Sequence, residues 1–476
     1  MNTSIAKNTA FMTMASIGQK IVAFVYFTLI ARQIGAEGTG KYFFALAFTT
    51  VFVVFVDLGF TNVLVREAAK AKEKMQQFFS TVIAIKIVFG ILTYVAAVAA
   101  INLLGYPLET KQLVYLSAVT MLFDSLHLTV YGVLRAVGDL KWEAGGMLGS
   151  QALTLVMGAF FLYTGRPLIF LILAFTIPSF INVCYASAVL WKKYQIPLMP
   201  RFDAAVFKYL GKIAVPFALA AIFARVYSYI DSILLSKLAG DAAVGWYSIP
   251  YKITYAFQFI PLALVAALYP RFSEYFAADK KRLAYIFERG FKYLLIIAFP
   301  ITVGIFVIAR DLVLFLFSDG YINSVLPLQI LIVSLFFSFV SFPIGAFLNA
   351  GNKQVTQTVI VGSVMAVNII LNLVLIPRYG VAGAASAALI GNILLAKLGY
   401  LVVPKIAKIS HRFIAKTVLQ LGLSAAAMGA AVWYVNTQTH FIFAIIAGAI
   451  VYPAMLFAVK AVTREQLTEV VRLVRN

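Results

Sequence analysis

Residues 78–104 read FFSTVIAIKIVFGILTYVAAVAAINLL, an apolar run interrupted by a single charge, Lys86. At 1.5 Å rise per residue, about 20 such residues cross a hydrocarbon core about 30 Å thick. This run is therefore long enough to span a bilayer as one helix, and the pattern recurs along the chain. Runs bounded by charge, Gly or Pro fall near 10–32, 41–65, 78–104, 112–134, 144–163, 168–191, 210–236, 246–270, 291–309, 325–349, 355–376, 382–403, 413–434 and 441–459, which makes fourteen spans. Across the 476 residues 62% are hydrophobic and 12% charged, against roughly a quarter charged in soluble domains. No soluble core could hide that much apolar surface. The sequence predicts an all-α integral membrane protein of about 14 transmembrane helices.

Composition excludes several classes. The net charge of +21 would suit a nucleic-acid binder only if Lys and Arg lined one face of a soluble domain, and the segments between spans are too short to form one. The single cysteine, Cys184, rules out an internal disulfide or a cysteine zinc site, and its apolar surroundings predict a buried small hydrophobe. His127, His411 and His440 lie in separate segments, so no histidine metal site is expected. Residues 35–42, GAEGTGKY, carry the glycine and lysine spacing of a phosphate loop. Tyr42 stands where that loop needs Ser or Thr, however, and no strand precedes it. Residues 1–9 are polar and lead straight into the first span without a small-residue cleavage signature, so that helix is expected to remain in the mature chain.

Orientation follows from the positive residues, which resist translocation. Of the 39 Lys and Arg, counting those within four residues of a span end with the adjoining connection, 27 fall at the termini and in the connections after even-numbered spans, 7 in the opposite connections and 5 deeper within spans. Both termini are thus expected on the cytoplasmic side of the cell membrane. The largest basic loops, 192–212 and 271–292, are accounted for by this topology and by contact with anionic lipid.

A repeat emerges when the first connection is laid over the seventh at an offset of 205 residues: Arg32 meets Lys237, Gly35 meets Gly240, Gly40 meets Gly245 and Tyr42 meets Tyr247. Leu134-Arg135-Ala136 with Gly138-Asp139 similarly resembles Leu348-Asn349-Ala350 with Gly351-Asn352. Six spans per unit, an even number, place both units in the same orientation, as in transporters built from parallel repeats. The expected organisation is an N-terminal lobe over 1–200, a C-terminal lobe over 201–404, the two around a central cavity, and an added helix pair with a cytoplasmic tail over 405–476. Pro216, Pro261 and Pro300 fall in spans 7, 8 and 9, where each can bend its helix.

Charges inside spans are the candidate site. Each costs about 2.5–3.5 kcal/mol at the bilayer centre on insertion scales, so one that persists usually faces a cavity or a partner. They are Lys20, Asp57, Lys86, Asp124, His127, Arg225, Asp231, Lys252 and Lys397. In span 4, Ser117, Thr120, Asp124, His127, Tyr131 and Arg135 recur at spacings of 3 and 4 and predict one polar wall. Asp124 with His127 would serve as a proton-coupling pair or as a satisfied polar contact. On span 7, Arg225, Tyr229 and Ser232 share a face from which Asp231 turns away. Lys252 sits among Tyr247, Tyr251, Tyr255 and Gln258. Cations on several helices suit a phosphate-bearing head group; intramembrane ion pairing, for example Lys20 with Asp57, is the competing explanation. Lys397 lies near a helix end and can snorkel.

Several stretches carry a family resemblance. Ala31-Arg32-Gln33-Ile34-Gly35 through Gly40-Lys41-Tyr42, then Asp57-Leu58-Gly59-Phe60 and Arg66-Glu67, resemble the opening of polysaccharide and O-antigen flippases. Asp231-Ser232-Ile233-Leu234-Leu235, Gly245-Trp246-Tyr247, Ile260-Pro261, Tyr269-Pro270 and the run from Ile376-Pro377-Arg378-Tyr379-Gly380 to Ala385 resemble that family's second half. The order of these motifs and the span count identify the chain as a member of the multidrug, oligosaccharidyl-lipid and polysaccharide exporter superfamily.

The resemblance implies movement of a polyprenyl-diphosphate-linked oligosaccharide across the cytoplasmic membrane by alternating access. It further implies that Lys20, Arg225 and Lys252, helped by Lys86 and Arg135, clamp the diphosphate. Asp57, Asp124, His127 and Asp231 are then the groups for ion coupling or pairing. No cofactor beyond Na+ or H+ as coupling ion is expected. The implied partners are the lipid-linked glycan, membrane lipids and other polysaccharide-assembly proteins, with no nucleic acid. A multidrug or cation antiporter of the same superfamily is the alternative, although intramembrane bases outnumber acids. Enzymatic activity is not expected, since the longest outward connection, about residues 310–324, is short and lacks a convergent acid and base pair.

Overall fold

The computed structural model describes residues 2–462, with side chains described from Phe11 onward other than those at 216 and 217. The tail beyond 462 lies outside the described residues. Among the described residues the regular structure is entirely helical: α1 (Asn2–Asp57), α2 (Phe60–Lys70), α3 (Met75–Leu103), α4 (Leu108–Val137), α5 (Lys141–Tyr163), α6 (Ile169–Tyr194), α7 (Ala204–Ala239), α8 (Asp241–Phe257), α9 (Phe259–Ala278), α10 (Lys280–Phe317), α11 (Val325–Ala350), α12 (Gln354–Val402), α13 (His411–Gln438) and α14 (Phe441–Ala458). Twelve of the described helical stretches are long and apolar enough to cross a membrane. Two of them, Phe11–Asp57 and Gln354–Lys405, are long enough for two crossings, and each carries a non-helical glycine, Gly35 and Gly380. Dividing them there gives the fourteen spans.

Lipid exposure is visible on α3. Val88, Ile91, Leu92 and Val95 are 55–61% exposed and form one stripe at helical spacing. A soluble protein rarely leaves such a contiguous face bare. Cys184 belongs to the same category, being exposed on α6. The expected burial is corrected for a simple reason: where lipid is the solvent, a small apolar side chain gains little by entering the protein core.

The chain packs as two compact units, Met1–Gly245 and Trp246–Asn476. In the first, buried Phe60 and Leu64 of α2, Phe79, Val82 and Ile83 of α3, Tyr131 and Leu134 of α4, Leu190 of α6 and Leu210 of α7 form one core. Helix α7 therefore packs with the first six spans, and the division by packing falls after it, whereas the division by repeat falls before it. In the second unit Leu294 and Ala298 of α10 meet Ile332, Leu335 and Phe339 of α11, and Phe272, Phe287 and Phe347 join α9, α10 and α11 through ring contacts of 4.6–6.3 Å.

Three breaks have local causes. Span 2 was expected to run to residue 65, but α1 stops at Asp57 because Leu58 and Gly59 take φ of 42° and 83°, and α2 starts afresh at Phe60. Helix α8 yields to α9 at Gln258, three residues before Pro261, whose missing N–H removes the bond to that turn. Gly380 follows Pro377 inside α12. Pro300, by contrast, sits within uninterrupted α10, and Pro216 lies outside the described side chains.

The repeat-related glycines Gly40 and Gly245 share a reciprocal close approach. A Cβ on Gly40 would lie 1.8 Å from the Asp241 carbonyl oxygen, and one on Gly245 would lie 1.9 Å from that of Ala36. Adding the repeat offset to Ala36 and Gly40 gives Asp241 and Gly245, so each contact is the image of the other.

Candidate substrate-binding site

The break at Leu58 and Gly59 fixes the first acidic group. Asp57 ends α1, and its Oδ1 accepts from the Thr61 backbone N–H at 3.2 Å and from the Thr61 hydroxyl. It thereby satisfies one of the free donors in the first turn of α2. From α3, Lys86 reaches the same point and forms an ion pair with Asp57. Its ammonium also donates to Thr61 Oγ1 at 2.7 Å and to the Ser125 carbonyl and hydroxyl of α4 at 3.2 and 3.1 Å. Lys86 is 2% exposed. A cation so buried persists only when paired and hydrogen-bonded, and its donors are fully engaged by these oxygens. The partner of Asp57 is thus Lys86, not the Lys20 named in the ion-pair reading.

Arg135, in the last turn of α4, pairs across the Gly138 turn with Glu143 of α5. Its Nε donates to Glu143 Oε2 at 2.8 Å and its Nη2 to Oε1. Glu143 is fully buried, whereas the Arg135 side chain remains 34% exposed. This side-on geometry spends Nε and Nη2 and leaves the Nη1 hydrogens for another acceptor.

These groups share a cavity of about 440 Å³ in the first unit, whose wall includes Asp57, Thr61, Asn62, Lys86, Ser125, Arg135, Arg225 and Ser228. The α7 wall is made of Ala221, Ala224, Arg225 and Ser228, where small neighbours leave the exposed Arg225 room to move. The volume suits a small polar head group, and the wall sets three cations against one carboxylate. Away from the cavity wall, α2 is tied to α7 by Tyr209, which donates to the buried Glu67 at 2.7 Å. That hydrogen bond, together with Lys70 and Arg66, holds the Glu67 carboxyl below its ordinary value of 4.5.

The other sequence-predicted residues lie elsewhere. Lys20 is half-buried on α1 and absent from the cavity wall. Lys252 belongs to α8 in the second unit, and Asp231 is 5% exposed on α7. Lys397 is exposed on α12. Much of the polar face of α4 is an interface with α6: Thr120 bonds Thr176 at 2.7 Å, Ser179 donates to Asp124, and Tyr131 donates to Asn182 at 2.6 Å. His127 Nδ1 lies 3.7 Å from Asp124, and Ser117 bonds Thr49 of α1 at 2.8 Å. The predicted wall is mostly a hydrogen-bonded seam between helices, the common use of polar side chains in membranes. Sequence reasoning missed Glu143, Thr61 and Ser125. Glu143 is eight residues from Arg135, across a turn, a spacing that carries no helical signal.

Fold and site together define a polytopic α-helical membrane protein with a cationic intramembrane cavity. The chain belongs to the polysaccharide biosynthesis protein family, which it matches over residues 5–276, and residues 216–374 also match the MatE family. It is 26% identical over 262 residues to a protein of Haloferax volcanii named probable flippase AglR, covering 51% of this chain and 52% of that one, so it spans about half the length of that relative. It is 23% identical over 396 residues to the capsular polysaccharide biosynthesis protein CapF of Staphylococcus aureus, covering 80% of this chain and 94% of CapF. In fold it is similar to the lipid II flippase MurJ in an inward closed conformation, with TM-score 0.77, 18% identity and coverage of 93% of this chain and 97% of MurJ.

Proposed function

We propose that the chain is a flippase that moves a polyprenyl-diphosphate-linked oligosaccharide between leaflets of the cell membrane, with both termini cytoplasmic. The observation that carries this reading is the cavity wall, where Lys86, Arg135 and Arg225 outnumber Asp57. Lys86 is held by its ion pair with Asp57, while Arg135 through Nη1 and Arg225 from α7 supply the donors that a diphosphate needs. The distribution of basic residues, 27 on one side against 7 on the other, supports the orientation. Coupling to Na+ or H+ belongs to the same reading, with Asp124 and His127 as the acid and base for it. Other polysaccharide-assembly proteins would deliver and receive the glycan. The chain moves its substrate without altering it.

The MatE match over residues 216–374 favours a second reading, a drug or cation antiporter. A cation substrate would meet a wall of the wrong sign. Purified protein in liposomes separates the two. A flippase transfers a fluorescent lipid-diphosphate oligosaccharide between leaflets well above the protein-free rate. Exchange of cationic dyes without such transfer would establish the antiporter instead.

A further inference from the structure

The second unit carries an arrangement that the cationic cavity does not use. On α8, Tyr247, Tyr251 and Tyr255 recur every fourth residue, and Gln258, at the break before α9, falls back on the same stripe. The Tyr247 and Tyr251 ring centroids are 6.4 Å apart at 36°, and those of Tyr251 and Tyr255 are 5.9 Å apart at only 9°. Tyr247 is 2% exposed and Tyr255 46%, so the stripe opens as it descends. At that centroid separation the nearly parallel rings stack with a lateral offset, so that each leaves part of its face uncovered by the other. Half-buried Lys252 borders it.

Interfacial belts also use tyrosine, but Tyr255 lies about 20 Å of helical rise from the start of α8, well inside the bilayer. A phenol facing hydrocarbon at that depth is costly, so the stripe suits a wet surface. The ligand that combines an apolar C–H face with a rim of hydroxyls is a pyranose. Its C–H face stacks on an aromatic ring, and its hydroxyls exchange hydrogen bonds with phenols and amides. We infer that Tyr251 and Tyr255, with Gln258, form a saccharide subsite that reads the sugars of the transported lipid. This rests on the flippase reading and extends it from the head-group charge to the glycan.

The test compares binding of two probes, bare polyprenyl diphosphate and the same lipid bearing an oligosaccharide, to full-length protein in nanodiscs. The wild type should favour the glycosylated probe by about 10-fold. In the Tyr251→Leu/Tyr255→Leu variant that ratio should fall toward one, whereas Tyr251→Phe/Tyr255→Phe, which keeps the rings, should retain most of it. If the double leucine variant folds poorly, Tyr255→Leu alone, at the exposed ring, should lower the ratio. An unchanged ratio in the leucine variants, or no preference in the wild type, overturns the subsite while leaving the flippase reading intact. Failure of the wild type to bind either probe overturns both.

Discussion

Gly35 and Gly240 adopt the same unusual backbone conformation, φ 69° with ψ −176° and φ 84° with ψ 177°, at positions related by the repeat offset of 205 residues. This region of conformational space is essentially closed to residues with a Cβ and costs about 1–3 kcal/mol where it is enforced. Gly35→Ala and Gly240→Ala should each lower stability by that amount, and by similar amounts, in thermal unfolding of purified protein. Gly149 supplies the contrast, since it is helical and a Cβ there meets open space; Gly149→Ala should be neutral or stabilising by up to about 1 kcal/mol.

The Asp57–Lys86 pair should respond asymmetrically. The Lys86 side chain is 1% exposed and that of Asp57 29%, so removing the carboxylate strands the more deeply buried charge. Asp57→Asn is expected to cost about 3–5 kcal/mol and Lys86→Met less. The double variant Asp57→Asn/Lys86→Met should recover much of the loss. Denaturation of the three variants in one detergent checks the ordering, and equal losses in both single variants would contradict it.

For Arg135 and Glu143 the asymmetry lies on the acid. Glu143 is fully buried and Arg135 one-third exposed, so Arg135→Gln leaves a buried unpaired carboxylate, whereas Glu143→Gln leaves a guanidinium that water in the cavity can solvate. Arg135→Gln should be the more destabilising by about 1–3 kcal/mol. The charge-swapped double variant, Arg135→Glu/Glu143→Arg, should regain stability without regaining transport, because the cation no longer lies on the cavity wall. Melting temperature and flipping rate, measured side by side, separate these effects.

Acid sensitivity should be traceable to Glu67. Its carboxyl is held below 4.5 first by the Tyr209 hydroxyl and then by Lys70 and Arg66. A lowered folded-state value means that the stabilisation is fully present above the unfolded value and is lost as pH falls through the folded one. Tyr209→Phe removes the largest cause. The stability difference between wild type and Tyr209→Phe should therefore be constant near neutrality and shrink below about pH 4. A difference that stays constant down to pH 3 would assign Tyr209 a packing role alone.

The spans were legible because each apolar run must satisfy its own backbone within lipid, and Lys86 stood out because charge is costly there. The corners were legible too: Gly35 and Gly240 recur in register at a conformation that glycine adopts at least cost. What helical periodicity cannot supply is the identity of the neighbour. Ser117, Thr120, Asp124 and Tyr131 do share a face, but the residues that meet it, Thr49, Thr176, Ser179 and Asn182, lie 51–68 residues away in the chain. Asp57 likewise pairs with Lys86 because α1 stops one residue before Leu58, and the Asp57-Leu58-Gly59 break was hidden inside an apolar run. Arg225 reaches the cavity beside Ala221, Ala224 and Ser228, one edge of the face that it shares with Tyr229 and Ser232.

The cationic cavity is the centre of the account, and one measurement bears on it most directly: leaflet-to-leaflet transfer of a lipid-diphosphate oligosaccharide in proteoliposomes by wild type and by Arg135→Gln/Glu143→Gln/Arg225→Glu. Replacing the Arg135 pair on both sides avoids stranding Glu143, so the variant is expected to remain folded. The wild type should transfer the lipid and the variant should lose at least ~100-fold, since two charge-assisted contacts are removed. Transfer by the folded variant at the wild-type rate would contradict it.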